Sequence, residues 1–229
     1  MNLTVVVMAY DERANLEATV DELGAALARL PGAGHELCIV DDGSRDGTAQ
    51  LADRLATRPG VRVVHHPRNL GLGGVYRTGF AEARGELLSF FPADGQFPAD
   101  ILLDFYPRMA TRDLVLGYLP RRPSSALARG LSLAEKVLYR GLFGPMPRYQ
   151  GVFMVRTAVL RSLTLETTGR GWGVVMEMVL RICRAGHRVE SVPTALRPRL
   201  SGRSKVNNPR TVWNNLRQAF ALSRTLRRR

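Results

Sequence analysis

Short apolar runs alternate with helically spaced apolar positions through the first hundred residues. Leu3 to Ala9 (LTVVVMA) is continuous and β-branched, the pattern of a strand covered on both faces. Ala14, Leu16, Val20, Leu23, Leu27 and Leu30 then recur at helical spacing until Pro31-Gly32 stops them. Glu36 to Val40 predicts a second strand, Ala49 to Ala56 a helix opened by Asp46-Gly47-Thr48, and Val61 to His65 a third strand. A glycine-rich turn, Asn69 to Gly74, leads into a helix over Val75 to Ala83, and Leu87 to Phe91 is a fourth strand. Strand and helix alternating over short connections means right-handed βαβ units, hence an α/β fold with a mostly parallel sheet and helices on both faces.

The second half is less regular. Ala99 to Met109 predicts a helix, Leu114 to Tyr118 a strand, and Ser124 to Phe143 a long helix with Leu127, Leu131, Ala134, Leu138 and Leu142 on one face. Gln150 to Arg156 predicts a strand, Val159 to Leu163 a helical turn, and Val174 to Ala185 a strong helix closed by Gly186. Val189 to Leu196 is a last strand, placed at a sheet edge because Pro193 interrupts it. Pro209 to Leu226 predicts a final amphipathic helix. The expected organisation is one domain over residues 1–208 and a basic helical extension over residues 209–229.

Composition changes this picture in one respect. With 229 residues, 45% hydrophobic and 23% charged, the chain is an ordinary globular one, but its net charge is +13. From Arg197 to Arg229 there are ten Arg or Lys and no Asp or Glu. Such charge suits anionic lipid headgroups, phosphorylated substrates or nucleic acid, or is a solvated tail. No nucleic-acid motif or interleaved aromatics accompany it, so no nucleic-acid partner is expected. Cys38 and Cys183 lie in apolar segments and are expected as free thiols in a reducing compartment. Neither a signal peptide nor an apolar run long enough for a membrane span is apparent, so the expected location is cytoplasmic.

Four strand ends carry polar groups: Ala9-Tyr10-Asp11-Glu12, Asp41-Asp42-Gly43-Ser44, Asn69 to Gly74, and Pro92-Ala93-Asp94-Gly95-Gln96. A parallel sheet brings its strand ends to one edge, where open α/β sheets bind ligands. Asp94 there either binds a divalent cation that holds a diphosphate, or belongs to a turn that merely reverses the chain. Tyr10 offers a ring for stacking a nucleobase, and Glu12 and Asp41 accept hydrogen bonds from base or ribose. The glycines could cradle phosphate through backbone N–H groups, and Arg77 faces an anion or solvent.

The order of these motifs resembles family 2 glycosyltransferases of the GT-A (Rossmann-like) fold, and within them the polyprenyl-phosphate, dolichyl-phosphate mannose synthase-like branch. The matching residues are Ala9-Tyr10-Asp11-Glu12 with Asn15, Val40 to Ser44 with Asp46-Gly47-Thr48, Asn69-x-Gly71-x-Gly73, and Ala93-Asp94-Gly95-Gln96. A late stretch, Arg199-x-x-Gly202-x-Ser204-Lys205, points to the lipid-phosphate branch. The resemblance implies an inverting transferase that moves a hexose from a nucleoside-diphosphate sugar to a polyprenyl phosphate. It implies nucleotide-sugar binding by Ala9, Tyr10, Glu12, Asp41, Asp42, Gly71, Gly73, Arg77, Ala93, Gln96 and Ser204. Catalysis would fall to Asp94, Arg199 and Lys205, with Asp94 and Gln96 as ligands of Mg2+ or Mn2+. The family usually reads Asp-x-Asp where this chain has Pro92-Ala93-Asp94, so one expected carboxylate is missing. That leaves three outcomes: a cation held by Asp94 with phosphates and water, metal-independent transfer, or a lapsed binding protein. A hydroxyl acceptor is the other alternative and requires a base; Glu177 is the candidate, as a buried acid of raised pKa or an exposed helix residue.

The basic C-terminal helix, with Val212, Trp213, Leu216, Ala219, Phe220 and Ala221 on one face, is expected either at an anionic membrane surface or packed on the core. The surface expectation makes the enzyme peripheral on the cytoplasmic face, with a separate membrane subunit as a plausible partner.

Overall fold

The computed structural model describes residues 1–120, 137–149, 151–198, 220 and 222–224. Seven strands form one sheet: β1 (Leu3–Ala9), β2 (Glu36–Asp41), β3 (Val61–His65), β4 (Leu87–Pro92), β5 (Leu114–Tyr118), β6 (Phe153–Arg156) and β7 (Val189–Pro193). The helices are α1 (Leu16–Ala28), α2 (Thr48–Leu55), α3 (Leu72–Glu82), α4 (Asp100–Arg108), α5 over residues 137–143, α6 (Thr157–Arg161) and α7 (Gly173–Arg184). The strand order is β3-β2-β1-β4-β6-β5-β7.

The first four strands are parallel, as the alternating pattern predicts, with Ala9 opposite Asp41, Asp41 opposite His65, and Met8 opposite Pro92. Their carboxyl ends therefore sit level. The second half departs from simple alternation. β6 inserts between β4 and β5 and runs antiparallel to both, while β7 is parallel to β5 and forms the far edge. The edge placement of the last strand agrees with its proline, which closes the strand where a missing N–H interrupts no inner ladder.

Period-two alternation sorts the strand side chains into two layers. Val5, Val7 and Ala9 face a layer formed with Leu16, Val20 and Leu23 of α1, Leu51 and Leu55 of α2, and Leu102 and Phe105 of α4. Val6, Phe90 and Phe153 face the other, with Val75 and Tyr76 of α3 and Val175, Met178 and Val179 of α7. Tyr76 packs on both Phe90 and Phe153, at ring-centroid distances of 4.7 and 6.0 Å. Cys38 is buried in this layer, and burial pushes its thiol up to about 11; both cysteines are free thiols.

The outer face of α7 builds a smaller cluster in which Met176 and Leu180 meet Phe143 and Leu222. Leu222 belongs to the predicted C-terminal helix, and at this position the chain packs on the domain, while Phe220 is 47% exposed. Residues 209–219, 221 and 225–226 of that helix lie outside the described residues, as does most of Ser124 to Phe143. Among the described residues no helix is long and apolar enough to cross a membrane.

Candidate active site

Three braces organise the carboxyl edge of the sheet. The first ties the loop after β1 to the loop after β2. Asp11 N–H donates to Ser44 Oγ at 3.0 Å, Arg45 N–H to Asp11 Oδ1 at 2.8 Å, and Arg13 N–H to Asp46 Oδ2 at 3.2 Å. Thr48 accepts from Glu12 N–H at 2.9 Å while its own N–H and hydroxyl donate to Asp46 Oδ1. Burial raises the Asp46 carboxyl, but the hydrogen bonds from Thr48 and Arg13 outweigh it and hold the group below the usual range. Asp11 adopts φ 51°, a left-handed conformation that acidic residues tolerate better than most. The Asp41-to-Thr48 stretch is thus first a fastening between two loops.

The second brace centres on Asp42, which is 3% exposed. Its Oδ1 lies 2.7 Å from His66 Nδ1 and accepts Leu70 N–H at 2.7 Å, and its Oδ2 accepts Gly71 N–H at 2.9 Å. His66 Nε2 is 2.8 Å from Thr78 Oγ1 on α3. Gly43 must be glycine here: its φ is 72°, and a Cβ would fall 2.7 Å from the Arg68 carbonyl carbon.

The third brace holds the segment 166–171 against the start of α3. Gly73 N–H donates to Arg170 O at 2.8 Å, and Arg170 reaches Asn69 O and Oδ1 at 2.9 and 2.6 Å. Arg77 donates to the carbonyls of Thr167 and Gly169. A Cβ on Gly73 would lie 2.1 Å from Gly169 O, so that glycine serves close approach of two backbones.

These contacts correct three expectations. Gly71 and Gly73 do not cradle phosphate through their N–H groups, since Asp42 and Arg170 take them. Arg77 is half-buried and does not simply face solvent, since its Nη1 donates to the carbonyls of Thr167 and Gly169. Asp42 does not face a ligand: both its oxygens organise the 66–71 loop. Glu177 matches neither description offered for it. It is fully buried, yet it accepts N–H bonds from Glu166 and Thr167 and pairs with Arg181 Nε at 2.8 Å. Burial pushes its carboxyl up, but these donors outweigh burial and leave it below the usual range, so it is no poised base.

What remains is an open cleft of about 450 Å³ at the ends of β2 and β3, lined by Tyr10, Asp41, Gly43, Ser44, Arg45, Asp53, His65, His66, Arg68 and Asn69 among others. Asp41 is 2% exposed; Ser44 N–H donates to its Oδ1 at 3.2 Å and His65 Nδ1 lies 3.0 Å from its Oδ2. Glu12, half-buried, accepts from the Asn15 amide at 2.8 Å. Ala9 and Ala93 are buried, with Ala9 O taken by Asp42 N–H and Ala93 N–H by Met8 O. The cleft-lining histidines and Asp53 went unrecognised in the sequence; the doubled histidine closing the third strand was the available signal.

Asp94 stands beyond β4, on the other side of β1 from this cleft, and is 6% exposed. Gln96 N–H donates to its Oδ1 at 3.1 Å across a turn at Gly95, so the turn expected at this position is present and it carries a buried carboxylate. Among the described residues no group of three His, Cys, Asp or Glu could hold a metal ion. One carboxylate and one amide fit a magnesium-like cation that takes its other ligands from phosphate and water, not an all-protein cage. Arg197 N–H donates to Gln96 O at 2.8 Å, and its side chain pairs with Glu22. The chain leaving β7 is thereby pinned beside Gln96, two residues before Arg199. Arg199, Ser204 and Lys205 lie outside the described residues.

Comparison with known proteins agrees with this architecture. An undecaprenyl-phosphate mannosyltransferase of Micrococcus luteus is 28% identical over 220 residues, covering 90% of this chain and 88% of that protein. A dolichol-phosphate mannosyltransferase of Pyrococcus furiosus is 25% identical over 97% of this chain, which spans 64% of the relative's length. Mannosyl-3-phosphoglycerate synthase from Rubrobacter xylanophilus shares the fold at a TM-score of 0.73 and 18% identity, covering 100% of this chain and 76% of that one. A Mycobacterium tuberculosis glucosyl-3-phosphoglycerate synthase, solved with Mn2+, uridine diphosphate and its product, shares it at 0.67 and 19% identity, over 96% and 80% of the two chains. The model of glycosyl transferase family 2 matches residues 4–161. With its four level strand ends, its cleft and the buried Asp94 carboxylate at the end of β4, the chain belongs to glycosyl transferase family 2.

Proposed function

We propose that this transferase moves a hexose from a nucleoside-diphosphate sugar to a polyprenyl phosphate. The observation that carries the lipid-phosphate assignment is the Arg197–Gln96 bond. It anchors the entry to the Arg199-x-x-Gly202-x-Ser204-Lys205 stretch beside Asp94 and Gln96. A basic stretch starting there would serve a diphosphate leaving group and a phosphate acceptor together. The polyprenyl-phosphate names of the Micrococcus and Pyrococcus relatives agree with it.

The donor would lie across the end of β1. Tyr10, Glu12 and Asp41 take the base and ribose in the cleft at β2 and β3, and Asp94 with Gln96 takes the diphosphate beyond β4. The span from β2 to β4 crosses two strand spacings, about 10 Å, which suits a nucleoside diphosphate. Bound between Asp94, Gln96 and the diphosphate, Mg2+ or Mn2+ would neutralise charge developing on the leaving group. Arg199 and Lys205 would share that task and bind the acceptor, with Ser204 donating to a phosphate oxygen. An acceptor phosphate oxygen attacks the anomeric carbon, the bond to the diphosphate oxygen breaks, and the nucleoside diphosphate departs with the electron pair. Configuration inverts, and a phosphate nucleophile that is already anionic requires no general base. The engagement of Glu177 in the fold favours this acceptor over a hydroxyl, which would need one.

Residues 1–208 would act as the catalytic unit and residues 209–229 as a basic helix on the cytoplasmic face of an anionic membrane, where a separate membrane subunit could receive the lipid product. The test is transfer of radiolabelled sugar from a panel of nucleoside-diphosphate sugars into a lipid-extractable product with polyprenyl phosphate, with Mg2+ or Mn2+ and with chelator. Metal-dependent lipid product supports the reading. Product made only on a saccharide, or nucleotide-sugar binding with no product on any acceptor, overturns it.

A further inference from the structure

We propose that His65 is a positioning residue of the nucleotide site: as an imidazolium donating to both Asp41 and Asp53, it holds the Asp41 carboxylate in place as the acceptor for a nucleobase N–H. The inference rests on the nucleotide-sugar reading above and goes beyond it by naming a residue whose protonation controls donor affinity.

The geometry is specific to His65. Its Nδ1 lies 3.0 Å from Asp41 Oδ2 and its Nε2 lies 3.0 Å from Asp53 Oδ1. Ionised carboxylates only accept hydrogen bonds, so a ring that satisfies both must carry a proton on each nitrogen. The neighbouring His66 makes the contrast. It lies between Asp42 and Thr78 Oγ1, and a hydroxyl both donates and accepts, so the partners of His66 do not call for a donor on both ring nitrogens. His65 is also accessible. Its side chain is 36% exposed on the edge strand β3, Asp53 is 63% exposed on α2, and both line the cleft with Tyr10 and Asp41.

The groups around this ring set the sign of its pH dependence. Asp41 on β2 and Asp53 on α2 bond to it directly, while Arg45, Arg68 and the Tyr10 phenol line the same cleft. Arg62, on the same strand, is paired with Glu36 and Glu82. Burial disfavours the imidazolium, but the two carboxylates outweigh burial and raise the ring above its ordinary value. Below that raised value the three groups together carry one negative charge. As pH rises through it the ring loses its proton, the carboxylates lose their shared donor, and the cleft gains a negative charge beside an anionic ligand.

The experiment measures binding of UDP-glucose and GDP-mannose, with Mg2+, to the whole chain by calorimetry from about pH 5.5 to about pH 9, the range in which histidine titrates. A diphosphate esterified at both ends does not itself titrate there. The same titration is followed by NMR of the His65 ring proton, assigned by its loss in His65→Gln. The wild type is expected to lose about tenfold in affinity across the His65 titration, the worth of one charge-assisted hydrogen bond. His65→Gln flattens the profile, and Asp53→Asn moves both the NMR midpoint and the affinity midpoint to lower pH. A flat wild-type profile, or midpoints unmoved in Asp53→Asn, overturns the role of His65 while leaving lipid-product formation, and so the transferase reading, intact. If neither nucleotide sugar binds while the ring is charged, the His65 role falls; absence of lipid product as well then takes the nucleotide-sugar reading with it.

Discussion

Replacing Glu177 with glutamine separates a folding role from a catalytic one. The wild-type carboxylate is fully buried, accepts Glu166 N–H at 3.0 Å and Thr167 N–H at 2.8 Å, and pairs with Arg181, whose side chain is 13% exposed. Glutamine retains one acceptor oxygen but sets an amide N–H against a backbone donor, and it leaves the Arg181 charge without its buried partner. Losing one charge-assisted bond and half a buried pair costs about 2–3 kcal/mol. For a chain of this size that is a fall in Tm of roughly 4–12 °C. The loss is pH-dependent with a definite sign. The folded-state pKa lies below the unfolded one, so the stabilisation is present above the ordinary glutamate value and fades as pH falls through the folded one. The gap in Tm between wild type and Glu177→Gln is therefore widest near neutral pH and narrows in acid. Thermal unfolding at several pH values, beside transfer rates per folded molecule at low temperature, checks this. Unchanged Tm with abolished transfer would refute the structural assignment and restore Glu177 as a base.

Asp94→Ala is expected to abolish transfer while leaving far-UV circular dichroism and Tm close to wild type, because the bond Asp94 accepts from Gln96 N–H lies within a local turn; full activity would remove it from the diphosphate site. Gly73→Ala forces a Cβ to 2.1 Å from Gly169 O and is expected to cost about 3 kcal/mol or more, read as a large fall in denaturation midpoint. A midpoint within error of wild type would show that segment 166–171 yields freely. Deleting residues 209–229 is expected to weaken partitioning onto anionic liposomes; because Leu222 packs against Phe143, Met176 and Leu180, it should also lower Tm. Unchanged partitioning with lowered Tm would make the extension part of the core alone.

The alternation of the first four strands with three helices was legible because each element shows its own period and short connections leave parallel βαβ units as the solution. So was the convergence of Tyr10, Asp41 and Asp94 on one edge, since a parallel sheet aligns strand ends whatever the intervening loops do. The place of β6 was not legible. Nothing local in Gln150 to Arg156 says that it turns antiparallel between β4 and β5, because strand partners are chosen by contacts far apart in sequence. The intramolecular partners of the glycines and of Arg77 were hidden for a related reason. Asn69 to Gly74 has the composition of a phosphate loop, and only folding shows that Asp42 takes the N–H groups of Leu70 and Gly71 while Arg170, about a hundred residues away, takes that of Gly73.

Periodicity and motif order specify the α/β architecture and the family, and they name the side chains available at the strand ends. Tertiary structure alone decided which of those side chains were already engaged. Asp42 and Glu177 are as acidic in sequence as Asp41 and Asp94, yet the donors packed on Asp42 and Glu177 lie within the fold, whereas Asp41, which accepts Ser44 N–H and meets His65, also lines an open cleft, and Asp94 accepts Gln96 N–H in a turn at the sheet edge. A hydrogen-bond partner is supplied by whatever folds against a group. Composition and spacing fix how many acceptors a chain carries, and the packing of distant segments fixes which of them remain for a substrate.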